Sequence, residues 1–315
     1  MSLHNRLTMF SLAISRRDWV EAMCSKKFRR RSLLYVPGSS EKMLAKSLTV
    51  ESDAVIYDLE DSVSPGQKQQ ARINVCQLLK EIRTGKQCTQ MEVIVRINPF
   101  DSSFALEDLL QVCLHKPDAV IITKATAQII SAADAIITMI ELCNNLPKQN
   151  IEIIALVETA LGVETVSDII GSSARLTAVQ FGAEDFTRDM EIARTSTSNE
   201  IIYSRNRLAV ACRAYGIGCI DTPYLDFNDF DGYEVDTRYA KSIGMTGRCV
   251  IHPALIERTN RIFSPTPQEV VEAKQIIAAF DEAIAKGLGA ASFNGKMIDL
   301  PIMQRAKKLL EKAEV

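Results

Sequence analysis

The chain contains no apolar run approaching the ~20 residues that a membrane-spanning helix requires, which predicts a soluble protein. It also lacks an excess of either charge. Thirty-seven Lys and Arg stand against 39 Asp and Glu, a formal net charge of −2, so no overall positive field draws nucleic acid or an anionic membrane. Histidine is scarce: His4, His115 and His252 make no constellation with cysteine or serine for metal binding or nucleophilic chemistry. His252 ends a predicted strand and reads either as a lining residue or as a positioned structural imidazole. The eight cysteines (Cys24, Cys76, Cys88, Cys113, Cys143, Cys212, Cys219, Cys249) have no close pairs at metal-ligand spacing. Most lie in apolar patterns and read as buried free thiols of a reducing compartment. Internal repeats at solenoid periods and low-complexity segments are absent too.

What is present is an ordinary globular balance, 47% hydrophobic and 24% charged, that suits one large enzyme domain. Residues 1–30 stand apart. Arg6, Arg16, Arg17, Lys26, Lys27, Arg29 and Arg30 are opposed only by Asp18 and Glu21. A basic, serine-containing stretch fits an organelle transit peptide, but the two acids favour a loose arm or an over-extended start. The expected location is cytoplasmic, or mitochondrial if the stretch is a transit peptide.

From residue 32 onward, short β-branched runs alternate with longer amphipathic stretches, the order that yields a parallel sheet covered by helices. Strands are predicted at 32–36, 54–58, 92–98, 119–124, 152–158, 176–182, 218–222 and 249–252. Eight strands suggest closure, so the fold class is α/β, a (β/α)8 TIM barrel over 31–263. Helices are predicted at 41–48, 67–83, 106–113, 127–144, 163–170, 199–215 and 235–243. In the segment 199–215 the apolar face is Ile201, Leu208, Ala211, Cys212 and Tyr215, with Arg205 at its margin. Two more helices, 265–286 and 304–312, exceed what one barrel needs. They define a C-terminal helical extension, 264–315, expected to project toward another subunit.

In such barrels reactive groups sit where strands end and loops begin. The predicted strands end in Asp58, Glu60 and Asp61; in Arg96 and Asn98; in Lys124; in Glu158; and in Gly182, Ala183, Glu184 and Asp185. Glu158 and Asp185 follow neighbouring strands, so two carboxylates meet in one mouth. They suit a hard cation such as magnesium, or manganese in its place, which takes one or two carboxylates and leaves its other positions to water and substrate. Their structural alternative is helix capping or ion pairing. Arg96 can fork onto a carboxylate or a developing enolate, with Glu60 or Asp61 as orienting partners. The first loop, with Gly38, Ser40 and Lys42, reads equally as a cradle for a coenzyme A phosphate or as a helix capped by Ser40.

Most of these residues, though not Ser40, Lys42 and Lys124, fall within a series of seven blocks: RSLLYVPG (31–38), YDLEDSV (57–63), VRIN (95–98), ALVETALG (155–162), FGAEDF (181–186), GRCVIHP (247–253) and GKMIDLP (295–301). In this order the chain resembles the citrate lyase beta-like branch of the HpcH/HpaI aldolase superfamily. The resemblance implies that Glu158 and Asp185 bind magnesium and that Arg96 stabilises the charge formed on bond breaking. Glu60, Asp61, Ala183 and Glu184 stand beside these as candidate substrate contacts, and Gly38 and Lys42 as candidate contacts to coenzyme A. The resemblance further implies a homotrimer or dimer of trimers, in which Asp299 serves a neighbouring subunit's site as general acid/base. Strand four departs from the pattern, ending Ile121, Ile122, Thr123, Lys124 where relatives often carry leucine and proline before the lysine.

The implied reaction is cleavage of a 3-hydroxyacyl thioester, citramalyl-coenzyme A or malyl-coenzyme A, to acetyl-coenzyme A and pyruvate or glyoxylate. Two alternatives stand beside it. One is a malate-synthase-like condensation and hydrolysis; the other is a citrate lyase beta subunit acting on citryl-acyl carrier protein.

Overall fold

The computed structural model describes residues 29–87 and 89–314. Cys24, Cys88, His4 and the transit-peptide reading lie outside them. Eight parallel strands close a barrel in sequence order: β1 (Ser32–Pro37), β2 (Ala54–Asp58), β3 (Glu92–Arg96), β4 (Ala119–Ile122), β5 (Glu152–Val157), β6 (Leu176–Phe181), β7 (Gly218–Asp221) and β8 (Gly247–Val250). The seam is sealed where Leu33 and Leu34 of β1 pair in register with Cys249 and Val250 of β8. The expected (β/α)8 barrel is therefore the fold.

The outer ring runs α1 (Glu41–Ser47), α2 (Lys68–Arg83), α3 (Ala105–Val112), α4 (Ala127–Cys143), α5 (Ala160–Glu164), α6 (Val166–Gly171), α7 (Ala183–Asp189), α8 (Ile202–Tyr215), α9 (Phe230–Ser242) and α10 (Ile256–Phe263). Side chains satisfy the free N–H groups at several starts. Ser40, Thr126, Thr159 and Asp229 each accept from a backbone N–H in the first turn. Beyond the barrel lie α11 (Pro267–Ala285), a hairpin of β9 (Ala291–Phe293) and β10 (Lys296–Ile298), and α12 (Leu300–Glu314). Thr266 and Glu269 form a reciprocal capping box at the start of α11. Phe280, Ile298 and Met303 give the extension a small core of its own.

Several elements differ from expectation. Helices α7 and α10 and the β9–β10 hairpin arise in stretches read as loop or link, and the 163–170 helix is replaced by the two short helices α5 and α6. Cys143 ends α4 exposed, whereas Cys76, Cys113, Cys212, Cys219 and Cys249 are buried free thiols as expected. No helix among the described residues is long and apolar enough to cross a membrane.

Strand periodicity of two fills the barrel lumen in layers. Leu33, Ala54, Ile56, Ile94, Ile121, Ile154, Leu156 and Ile220 form its apolar middle, while the alternate residues pack outward on the helices. Both faces are buried, hence the near-continuous apolar runs. The N-terminal end is closed by Arg30. Its Nε donates to Glu92 Oε2 at 2.8 Å, Nη2 reaches Glu92 Oε1 and Glu152 Oε2 at 2.5 Å each, and Nη1 donates to Thr177 at 2.9 Å. Composition groups Arg30 with the basic arm, but its side chain belongs to the barrel.

A second buried charge network joins α8, β7, α9 and β8. Arg205 binds Asp221 at 3.0 Å and Asp236 at 2.8 Å, and Arg248 donates to Asp236 at 2.6 Å. Arg205 is fully buried rather than marginal, because these two carboxylates replace its lost water. Burial works to raise the Asp236 carboxyl, yet hydrogen bonds from Arg205 and the charges of Arg248 and Arg205 hold it well below the usual carboxylate range. A depressed acid contributes stability above its unfolded pKa of about 3.9 and loses it as pH falls toward the folded value. Asp236→Asn is thus expected to lower unfolding free energy by about 3 kcal/mol at pH 7. In urea titrations the gap from the parent should narrow only below about pH 4; a gap constant down to about pH 2.5 would sink this account.

Candidate functional site

At the C-terminal end of the lumen, each strand's inward series continues past the apolar layer into polar residues. After Leu33 comes Tyr35; after Ile56, Asp58; after Ile94, Arg96; after Ile121, Thr123; after Leu156, Glu158; after Ala178, Gln180. The mouth is therefore built by the same alternation that fills the core.

Arg96 is its organising cation. Nε donates to Asp58 Oδ1 at 2.7 Å and Nη2 to Asp58 Oδ2 at 2.8 Å, a bidentate fork. Nη1 lies 2.9 Å from Glu60 Oε2 and 3.5 Å from Asp61 Oδ2, and the guanidinium sits 4.8 Å above the Tyr35 ring. Asp58 is fixed in turn by the N–H groups of Glu60 and Ser62 and by the Ser62 hydroxyl. Gly38 permits the approach of β1 to this corner. A Cβ there would lie 2.9 Å from the Asp58 carbonyl oxygen and 3.0 Å from Val75.

Glu158 is 3% exposed. Its Oε1 accepts the Lys124 N–H at 2.7 Å, and that N–H is aimed by a left-handed backbone at Lys124, φ 46°. Such a conformation costs a non-glycine residue about 1 kcal/mol. Gly182 clears space on the other side, since a Cβ would meet Glu158 Cβ at 2.7 Å and Oε2 at 2.9 Å. Asp185, in the first turn of α7, forms an ion pair with Arg188. Burial pushes the Glu158 carboxyl up to about 8, with the charges of Asp185 and Glu60 adding to the effect. Burial likewise pushes Glu60 up to about 7 against the pull of Arg96.

Four buried side-chain atoms among the described residues have no hydrogen-bond partner, and three belong to this end of the barrel: Glu60 Oε2, Thr123 Oγ1 and Gln180 Oε1. The Glu60 oxygen is within ion-pair range of Arg96 but misaligned for a hydrogen bond. Unsatisfied buried atoms are rare and costly, and their concentration here marks where a bound species completes the structure. The donors are all oxygen, and two carboxylates repel each other across the mouth. That set fits a hard divalent cation. Among the described residues no three His, Cys, Asp or Glu side chains converge on a metal position, and magnesium does not require three.

Arg96 is thus paired with Glu60 and Asp61, and Glu158 lies within electrostatic reach of Asp185, Glu60 and Arg96. Ala183 stays beside Asp185, but its N–H donates to Thr222 Oγ1 at 3.2 Å. Glu184 turns to Arg194 Nε at 2.9 Å. Ser40 caps α1 through the Met43 N–H, and Lys42 is exposed on that helix. His252 accepts the Ala254 N–H and stacks on Phe227 at 5.0 Å. Asp299 caps α12 through the Ile302 N–H at 3.2 Å. No hydrogen bond or ion pair among the described residues joins Asp299 to the mouth of its own barrel.

Tyr35 and Gln180 are not singled out by the sequence, and Asp58, Gly182 and Lys124 appear there only as strand-end residues, without the roles the structure gives them. The signal for Tyr35, Gln180 and Asp58 is their parity with the lumen residues two places earlier. Gly182→Ala is expected to weaken magnesium binding at least about tenfold by displacing Glu158, and to lower the thermal midpoint as well, because the added methyl meets the Glu158 Cβ and not the end of a flexible chain. Calorimetric titration of metal into the variant checks this; parent-like affinity would mean that Glu158 is not a ligand.

With this geometry in view, comparisons with known proteins converge. The profile of the HpcH/HpaI aldolase/citrate lyase family matches residues 31–253. The citrate lyase subunit beta of Haemophilus influenzae is 37% identical over 286 residues, which cover 90% of this chain and 97% of that protein. The L-malyl-CoA/beta-methylmalyl-CoA lyase of Cereibacter sphaeroides is 32% identical over 307 residues, 90% of this chain and 95% of that protein. The citrate lyase beta subunit from M. tuberculosis, solved with oxaloacetate and magnesium, is 25% identical. It superposes with a TM-score of 0.61, covering 75% of this chain and 98% of that one. The chain belongs to the HpcH/HpaI aldolase/citrate lyase family of lyases.

Proposed function

We propose that the chain is a magnesium-dependent carbon–carbon lyase that cleaves a 3-hydroxyacyl thioester to an acetyl thioester and a 2-oxo acid. The observation that carries this reading is the pairing, in one mouth, of buried Glu158 and nearby Asp185 with the preorganised guanidinium of Arg96. Glu158 and Asp185 would hold the cation. When bound, it supplies Lewis-acid polarisation of the substrate's hydroxyl and carboxylate oxygens.

The chain's own groups then account for proton and charge. A base removes the substrate hydroxyl proton, the carbon–carbon bond breaks as that oxygen becomes a carbonyl, and the electron pair passes to the thioester half. Arg96, already aligned by Asp58, stabilises the resulting enolate oxygen without reorganisation. Protonation of the enolate carbon yields the acetyl thioester. Asp299 of the partner subunit is the proposed acid/base, in a homotrimer or dimer of trimers. Its place on a separately cored extension, apart from its own mouth, supports donation between copies.

Coenzyme A is the proposed thioester carrier, supported by the malyl-CoA lyases among the relatives, and citramalyl-coenzyme A is the favoured substrate over malyl-coenzyme A. A second reading, a citrate lyase beta subunit acting on citryl-acyl carrier protein, is favoured by the 37% identity to a protein of that name. Assay of the purified chain with and without magnesium against malyl, citramalyl and citryl thioesters separates them. Turnover of a coenzyme A ester is expected; activity only on the carrier-protein ester supports the second reading. Asp185→Ala should remove metal-dependent turnover, and Arg96→Lys should lower kcat by about 10²-fold, as loss of a charge-stabilising donor does. Retained rates in either variant would refute the corresponding role.

A further inference from the structure

The Tyr35 phenol spans the lumen just beneath Arg96. Its ring packs on the apolar layer and lies under the guanidinium, and its hydroxyl, reaching across from β1, accepts a hydrogen bond from Gln180 Nε2 of β6 at 2.7 Å. Tyr35 is partly exposed at this level, whereas Gln180 is 2% exposed. Gln180 therefore occupies an oxygen lone pair and leaves the phenol proton to be donated elsewhere. No hydrogen bond donated by that hydroxyl is formed among the described residues. Burial also raises the phenol's proton affinity well above that of a free tyrosine, despite the neighbouring Arg96, so the group serves as a donor and not as a base. Beside it, the unpartnered Gln180 Oε1 is one of the buried atoms that a bound species would complete.

The geometry points to Tyr35 as a substrate-binding hydrogen-bond donor, paired with Arg96, for an anionic or carbonyl oxygen of the acyl half of the substrate. Gln180 is the positioning residue that sets the hydroxyl's direction. The assignment rests on reading the mouth as a site for hydroxyacyl substrates. It adds a second, neutral donor to the Arg96 charge, so an oxygen bound there is held by two donors from different strands. A carboxylate borne on the carbon next to the carbonyl of a 2-oxo acid presents such an oxygen without any thioester, and oxaloacetate is the simple example. Pyruvate shares the 2-oxo acid and lacks that carboxylate.

The test is calorimetric binding of oxaloacetate and of pyruvate, in magnesium, to the full chain and to Tyr35→Phe, Gln180→Leu and the double variant. Phenylalanine keeps the ring beneath Arg96 and removes only the hydroxyl. Tyr35→Phe is expected to weaken oxaloacetate by roughly tenfold to a hundredfold, as loss of one hydrogen bond to a charged group does, with pyruvate changed by less than about twofold. Gln180→Leu should show a smaller loss confined to oxaloacetate, and no further loss in the Tyr35→Phe background. A purely structural role for Gln180 would instead weaken both ligands and add to the first substitution. The assignment is overturned if Tyr35→Phe binds oxaloacetate like the parent, if it loses both ligands alike, or if the parent does not prefer oxaloacetate. A parent chain with the expected binding pattern that cleaves none of the thioesters would refute the lyase reading and leave the Tyr35 assignment standing.

Discussion

The fork of Arg96 onto Asp58 is the contact on which the mouth depends. A guanidinium in that position, side chain 11% exposed, is tolerable only if its hydrogen bonds are met, and Asp58 meets two of them with a geometry a lysine would not reproduce. Asp58 is itself held by two backbone N–H groups and a serine hydroxyl from the loop that follows it. The loop, the strand end and the cation therefore set one another's positions. Glu60 and Asp61, on that loop, face the remaining nitrogen less favourably aligned, which leaves part of the guanidinium's capacity for another anion.

The same economy of parts holds Glu158. Its carboxylate is flanked by a backbone N–H that exists at that angle only because Lys124 adopts a left-handed conformation, and by the space that Gly182 leaves open. Neither neighbour contributes a reactive side chain. Strain at one residue and a missing side chain at another are the local costs of keeping a carboxylate buried beside other acids.

Much of the barrel is legible in the chain, because eight β-branched runs separated by helical periodicity leave few alternatives to closure. The polar cluster of the mouth is legible as well, since polar residues stand at strand ends where apolar ones are the rule. What stays hidden has definite causes. Asp58 looks like one of three acids in close succession; inward parity shared with Ile56 separates it from Asp61, but only its place as the last residue of β2 separates it from Glu60. Lys124 acts through its backbone, which side-chain chemistry does not announce. Helix α10 escapes the pattern because its polar turns, Glu257, Arg258 and Arg261, resemble a loop in composition, whereas buried Ile256, Thr259 and Ile262 line one face at a helical spacing. Arg205 looks marginal on its helix because its carboxylate partners, Asp221 and Asp236, lie 16 and 31 residues further on.

The Arg30 plug bears on where this domain begins. Similarity to the family starts at residue 31, one position after the side chain that closes the lumen. A chain trimmed to that boundary would keep every strand and every residue of the mouth, yet leave Glu92 and Glu152 at the blind end with no cation between them. A fully buried Glu92 beside a half-buried Glu152, both without their counter-ion, is a heavier burden than the loss of one arginine suggests. The side chain that closes the lumen thus lies just outside the stretch matched by the family profile, and it contributes electrostatic closure without adding a strand or helix.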